Sequence, residues 1–72
     1  MNAETIGSWA GLVWNALCAA DVMGLKQLKK ATKLKDKELF AAIGWLAREG
    51  KVSIQTNPED EKDLLFTLVG DR

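Results

Sequence analysis

The chain has no histidine, no tyrosine, one proline and one cysteine in 72 residues, and its formal net charge is zero. Each shortage closes a route. Cys18 has no second cysteine to pair with, and one thiol without histidine cannot build a zinc site. A domain this short buries only about 60% of its unfolded surface, and small domains are commonly held by disulfides, a metal or an oligomer. With the first two unavailable, a homodimer is the expected support. Catalysis is equally short of parts. Asp36, Glu38, Glu49, Asp60 and Glu61 are scattered, and no G-x-x-x-x-G-K phosphate loop occurs. The reading is therefore not an enzyme, with no metal, no cofactor and no small-molecule ligand indicated.

A membrane or export role lacks its signals too. The first basic residue is Lys26, so no apolar run follows positive charge. The apolar stretch from Trp9 to Ala20 has only twelve residues and contains Asn15, too short to span a bilayer. A cytoplasmic location is the expectation, consistent with an unpaired thiol.

What is present is a chain that is 47% hydrophobic, enough for one small globular domain over residues 1–72. Leu39, Ile43 and Leu46 fall at i, i+4 and i+7, one stripe of a helix. Leu28 and Ala31 belong to a shorter helix before it, and Leu34 plugs the turn between. The expected helices run over about 5–20, 25–32 and 36–49, with Thr5 as the first N-cap and residues 1–3 frayed. Gly24 is read as a C-cap or positive-φ turn, and Gly50 as the stop of the third helix. Strands are expected at about 51–56 and 63–69. They are joined by the Asn57-Pro58-Glu59-Asp60 turn, with Val52, Ile54, Leu64, Phe66 and Leu68 facing the core. Residues 70–72 are read as loose.

Helix one is unusual in width. Ile6, Ala10, Val13, Leu17 and Ala20 centre its apolar face, Trp9, Leu12 and Ala16 widen one side, and Trp14 and Cys18 the other. That arc covers roughly two-thirds of the helix, against the ~100° a surface helix needs, so a partner chain is the expected second cover. Trp14 reads first as core and Cys18 as a small apolar filler. Trp9, Leu12, Trp14 and Trp45 form the candidate dimer or partner interface, tryptophan being common in buried hot spots.

This order, a helix, a turn, a second helix and a hairpin, reads as a mainly α fold with a small β-hairpin (α+β): a winged helix-turn-helix of three helices and a two- or three-stranded wing. LKKATKLKDKELFAAIGWLAREGKV resembles the winged helix-turn-helix superfamily of bacterial regulators. The whole chain, through GLVWNAL, the L-K-Q-L helix and AIGWLAREGKV, is similar to a small bacterial family of stand-alone winged helix-turn-helix domains of unassigned function. That resemblance implies DNA binding by fold, a tendency to homodimerise and no enzyme activity.

Charge is distributed unevenly over this frame. Lys26 to Lys37 contains six lysines and one acid, whereas Glu59 to Asp63 contains four acids and one lysine. Lys29, Lys30, Lys33 and Lys35 are the candidate phosphate contacts. Lys37, Ala41, Gly44 and Arg48 form the face that would enter a groove. Only Lys37 and Arg48 on that face can hydrogen bond, so base readout is expected to be poor. Glu59, Asp60 and Glu61 would repel a DNA backbone. Two functions follow: a DNA-binding transcriptional regulator with weak or non-specific, phosphate-driven affinity, or a homodimeric protein-interaction module on the same fold that binds no DNA.

Overall fold

The computed structural model describes residues 2–69. Its elements are α1 (Ala3–Ala19), β1 (Met23–Gly24), α2 (Leu25–Thr32), α3 (Asp36–Arg48), β2 (Val52–Asn57) and β3 (Asp60–Leu68). The strands form one antiparallel sheet in the order β1-β3-β2, so the wing has three strands.

The first helix starts earlier than Thr5. Asn2 is the N-cap, its Oδ1 accepting the Thr5 amide at 2.8 Å, which satisfies one of the free donors at a helix start. Asn2 and Ala3, expected to fray, are instead the cap and the first residue of α1, while Met1 and residues 70–72, the latter expected to be loose, lie outside the described residues. Ala10, Val13 and Leu17 bury one side of α1 completely or nearly so. They meet Leu28 of α2, Leu39, Ala42, Ile43 and Leu46 of α3, Val52 of β2 and Phe66 of β3 in a single apolar core. No polar or charged side chain is buried among the described residues.

The third helix ends in a Schellman motif. Lys51 N–H donates to the Leu46 carbonyl at 2.9 Å, Gly50 N–H donates to the Ala47 carbonyl at 3.0 Å, and Gly50 has φ 71°. This left-handed geometry suits glycine. Glu49 is the cap rather than a helical residue.

Several sequence expectations are corrected. Gly24 has φ −79° and is extended, not left-handed. Glycine fits here by proximity, since a Cβ would lie 2.8 Å from Asp63 Oδ2 and push that carboxylate aside. Ala31 is exposed on α2, and Cys18 is exposed on α1 rather than filling a gap. Ile54 pairs with Phe66 across the sheet, yet is 43% exposed where Phe66 is fully buried. Both point to the same face, but β2 is an edge strand whereas Phe66 lies on the central strand β3. The return strand starts at Asp60 rather than 63, because the pairing is irregular between Thr56 and Asn57. Val69 lies beyond it, exposed.

Candidate nucleic-acid interface

The helix-turn-helix unit is α2, the three residues Lys33–Lys35, and α3. Its entry is fixed by the wing. Asp63 Oδ1 accepts the Leu25 amide at 3.1 Å, placing a carboxylate at the start of α2, while Gln27 Oε1 accepts the Gly24 amide at 2.8 Å. A negative charge at a helix N-terminus is favourable. Asp63 Oδ2 also accepts from Asn57 Nδ2 at 3.3 Å. The Asn57 hydrogen bond, with the backbone amides of Leu25 and Leu64 and the charge of Lys26, holds the Asp63 carboxyl below the usual carboxylate range, against an opposing desolvation.

The turn is built by Thr32 and Lys33. Thr32 Oγ1 donates to the Leu28 carbonyl at 2.7 Å and accepts the Leu34 amide at 3.3 Å. Lys33 takes the left-handed conformation, φ 60° and ψ 21°, as its N–H donates to the Lys29 carbonyl at 2.8 Å. Leu34 then turns inward and is buried. Glu38 Oε1 accepts the Lys35 amide at 2.9 Å, and Asp36 and Glu38 complement the start of α3.

These constraints decide where the lysines stand. Lys30, Lys33, Lys35 and Lys37 are exposed. Lys29 is only half-exposed and forms an ion pair with Asp36 across the turn, so among the described residues this phosphate candidate has an intramolecular competitor. On α3 the outward line from Lys37 through Gly44 to Arg48 is exposed, with Ala41 half-buried beside it. Trp45 flanks this line at 38% exposure and Phe40 flanks its other side at 47%. Phe40 was missed by the sequence reading. At about 100° per residue it lies off both the core stripe of Leu39, Ile43 and Leu46 and the centre of the groove face, and that rotation was the available signal.

At the wing tip, Glu59 N–H donates to Asn57 Oδ1 at 2.9 Å and Lys62 N–H to Asp60 Oδ1 at 3.1 Å. Glu59, Asp60 and Glu61 are all exposed, so the tip is acidic. Leu12 is 48% exposed, and Trp9 and Trp14 are half-buried against the core. Trp14 and Trp45 also line a cleft of about 280 Å³ between α1 and α3, together with Gly7, Gly11, Glu49 and Lys51. Of the four candidate interface residues, Trp14 and Trp45 are thus brought together.

A model of the winged helix-turn-helix domain family DUF2582 matches residues 1–68. The chain belongs to that family. No curated protein sequence matches the chain. Solved structures show the same fold in larger proteins. The PcaV transcriptional regulator from Streptomyces coelicolor is 22% identical with a TM-score of 0.81, covering 86% of this chain and 46% of its own. BpsR from Bordetella bronchiseptica, whose DNA binding is regulated by 6-hydroxynicotinic acid, is 20% identical with a TM-score of 0.78, covering 96% and 52%. A mutant MarR from E. coli complexed with operator DNA is 22% identical with a TM-score of 0.75, covering 96% and 46%. The DUF2582 chain spans about half the length of these regulators. Among its described residues, no helix is long and apolar enough to cross a membrane.

Proposed function

We propose that this DUF2582 domain is a DNA-binding module of the regulator type, a binding domain rather than an enzyme, working in the cytoplasm. The observation that carries this reading is the helix-turn-helix unit with its exposed lysines. Lys30, Lys33 and Lys35 surround the turn of a unit whose second helix leaves a full face open, and the fold is shared with regulators that bind DNA. In this reading Lys30, Lys33 and Lys35 hold phosphates, and Lys29 joins them when it leaves Asp36. Lys37, Ala41, Gly44 and Arg48 face the major groove. Lysine contacts supply affinity without sequence information, so binding is weak and dominated by counterion release.

Three to four phosphate contacts give a slope of log K against log salt of between about −2.7 and −3.6. Affinity for a mixed-sequence duplex should then fall by roughly a hundredfold between ~50 and ~200 mM salt. The test is a titration of labelled protein followed by NMR at both salts, with the Lys33→Glu, Lys35→Glu double variant alongside. Shifts at Lys29 to Lys37 and Arg48 that fade with salt, and vanish in the folded variant, support the reading. Absence of shifts at either salt refutes it.

A second reading has its own support in the acidic wing tip and the exposed Phe40 and Trp45. The same fold could serve as a homodimeric protein-interaction module without DNA. It expects Trp45→Ala or Ala41→Glu to disrupt assembly, and no duplex to bind at low salt.

A further inference from the structure

Phosphate binding leaves one feature of α3 unused. Phe40 sits 47% exposed on the outward side of a helix whose Leu39, Ile43 and Leu46 are buried. Beside it Ala41 is half-buried and Gly44 exposed, and a Cβ added at Gly44 would meet nothing within 4 Å. Along the line from Lys37 to Arg48 the face therefore carries no donor or acceptor side chain, and Phe40 is the large apolar group on its flank. Its cations stand at the two ends, eleven residues apart, or about 16 Å along a helix. A major groove, about 12 Å wide, admits an α-helix, so a helix seated there can hold its end cations near phosphates while the residues between them meet base edges.

Only one group on the major-groove edge of a base pair is apolar, the C5 methyl of thymine. A phenyl ring against a G·C edge would strip water from polar atoms and replace none of their hydrogen bonds. Against a thymine methyl it buries apolar surface on both sides. Lys37 and Arg48, with the exposed Lys30, Lys33 and Lys35 around the turn, outnumber Asp36, which is paired with Lys29, and Glu38, and this balance favours a polyanion over an apolar protein groove as the occupant.

We propose that Phe40, with Ala41 beside it, is a specificity-determining contact to thymine methyl groups, so that the domain favours A·T-rich duplex. The inference rests on the DNA-binding reading above. Burying one methyl group corresponds to about fourfold in affinity.

The test compares a thymine-containing A·T-rich duplex with the same duplex carrying deoxyuridine, which removes only the methyl and keeps the pairing. A G·C-rich duplex with and without 5-methylcytosine restores a methyl at the equivalent ring position. Binding is read by fluorescence anisotropy at ~50 mM salt. The wild type should bind the thymine duplex about fourfold tighter per methyl contacted than the deoxyuridine duplex, and methylation should improve the G·C duplex. Phe40→Ala, whose folding is checked by circular dichroism, should bind the thymine and deoxyuridine duplexes alike. Equal wild-type binding to thymine and deoxyuridine duplexes would overturn the inference and leave DNA binding standing. If no duplex binds, both fall, and Phe40 belongs to the protein-interaction reading.

Discussion

Lys33 occupies backbone space that a side chain resists. At φ 60° its Cβ crowds the neighbouring carbonyl, which costs roughly 1–2 kcal/mol for a residue other than glycine. Glycine would relieve that strain, although it adds freedom to the unfolded chain and returns part of the gain. Lys33→Gly should therefore raise stability by up to about 1 kcal/mol, seen as a melting temperature about 4–8 °C higher per kcal/mol for a domain of this size. On the proposed DNA-binding reading it should also weaken duplex binding, because Lys33 is one of the phosphate contacts proposed there. An unchanged or lowered melting temperature would show that the lysine side chain supports the turn in some further way. Gly50 is the complementary case, a residue already suited to its positive φ.

Among the elements, the two helices of the helix-turn-helix were legible because their apolar spacing repeats over whole turns. Leu28, Leu39, Ile43 and Leu46 all reach the core. Ala31 was misread, since alanine is compatible with either face and α2 has only eight residues in which to establish a phase. Ile54 was assigned to the right face, but period-2 alternation says nothing about which strand is the edge. Thr5 and Asn2 are both good caps, and position alone does not choose between them. The candidate site was half legible. The lysines and the sparse outward face of α3 could be read directly, whereas Phe40, the Lys29–Asp36 pair and the Trp14–Trp45 cleft depend on side-chain directions set by tertiary packing.

The tie between wing and α2 was not visible in the sequence at all, because Asp63 and Leu25 are thirty-eight residues apart. It carries a pH dependence. The Asp63 carboxyl is held below its ordinary value, so its contribution to stability is fully present above the unfolded aspartate pKa of about 3.9. That contribution is lost as pH falls through the lower folded value. Asp63→Asn should destabilise the domain at pH 7 and flatten the acid limb of its stability profile, measured by urea denaturation from pH 7 to pH 2. A variant with the wild-type acid limb would show that other carboxylates dominate it.

For the molecule as a whole, the apolar arc of α1 remains partly uncovered. Ala10, Val13 and Leu17 are buried within the chain, but Leu12 is 48% exposed and Trp9 and Trp14 are half-buried. A second copy packed on this side would complete the burial that 72 residues supply only marginally. Sedimentation at ~100 μM should then give the mass of a homodimer, well above the micromolar range of specific association, and Leu12→Glu should shift it to monomer while the fold persists. A monomeric mass for the wild type would refute the dimer and assign the exposed arc to a different partner. Zero net charge does not conflict with a basic recognition surface, because the exposed acids of the wing tip balance lysines elsewhere on the chain.

The placement of the three indoles has an optical consequence. Trp9 and Trp14 are half-buried, Trp45 is at the surface of α3, and none belongs to the fully buried core. Emission from a lone chain should already be that of partly hydrated tryptophan, so unfolding it shifts the wavelength little, whereas a second copy packed on α1 would dry Trp9 and Trp14 and move emission to shorter wavelength. Occupation of the α3 face likewise reaches the exposed side of Trp45, which flanks it. The intrinsic fluorescence of this domain is therefore a better reporter of what docks on it than of whether it is folded.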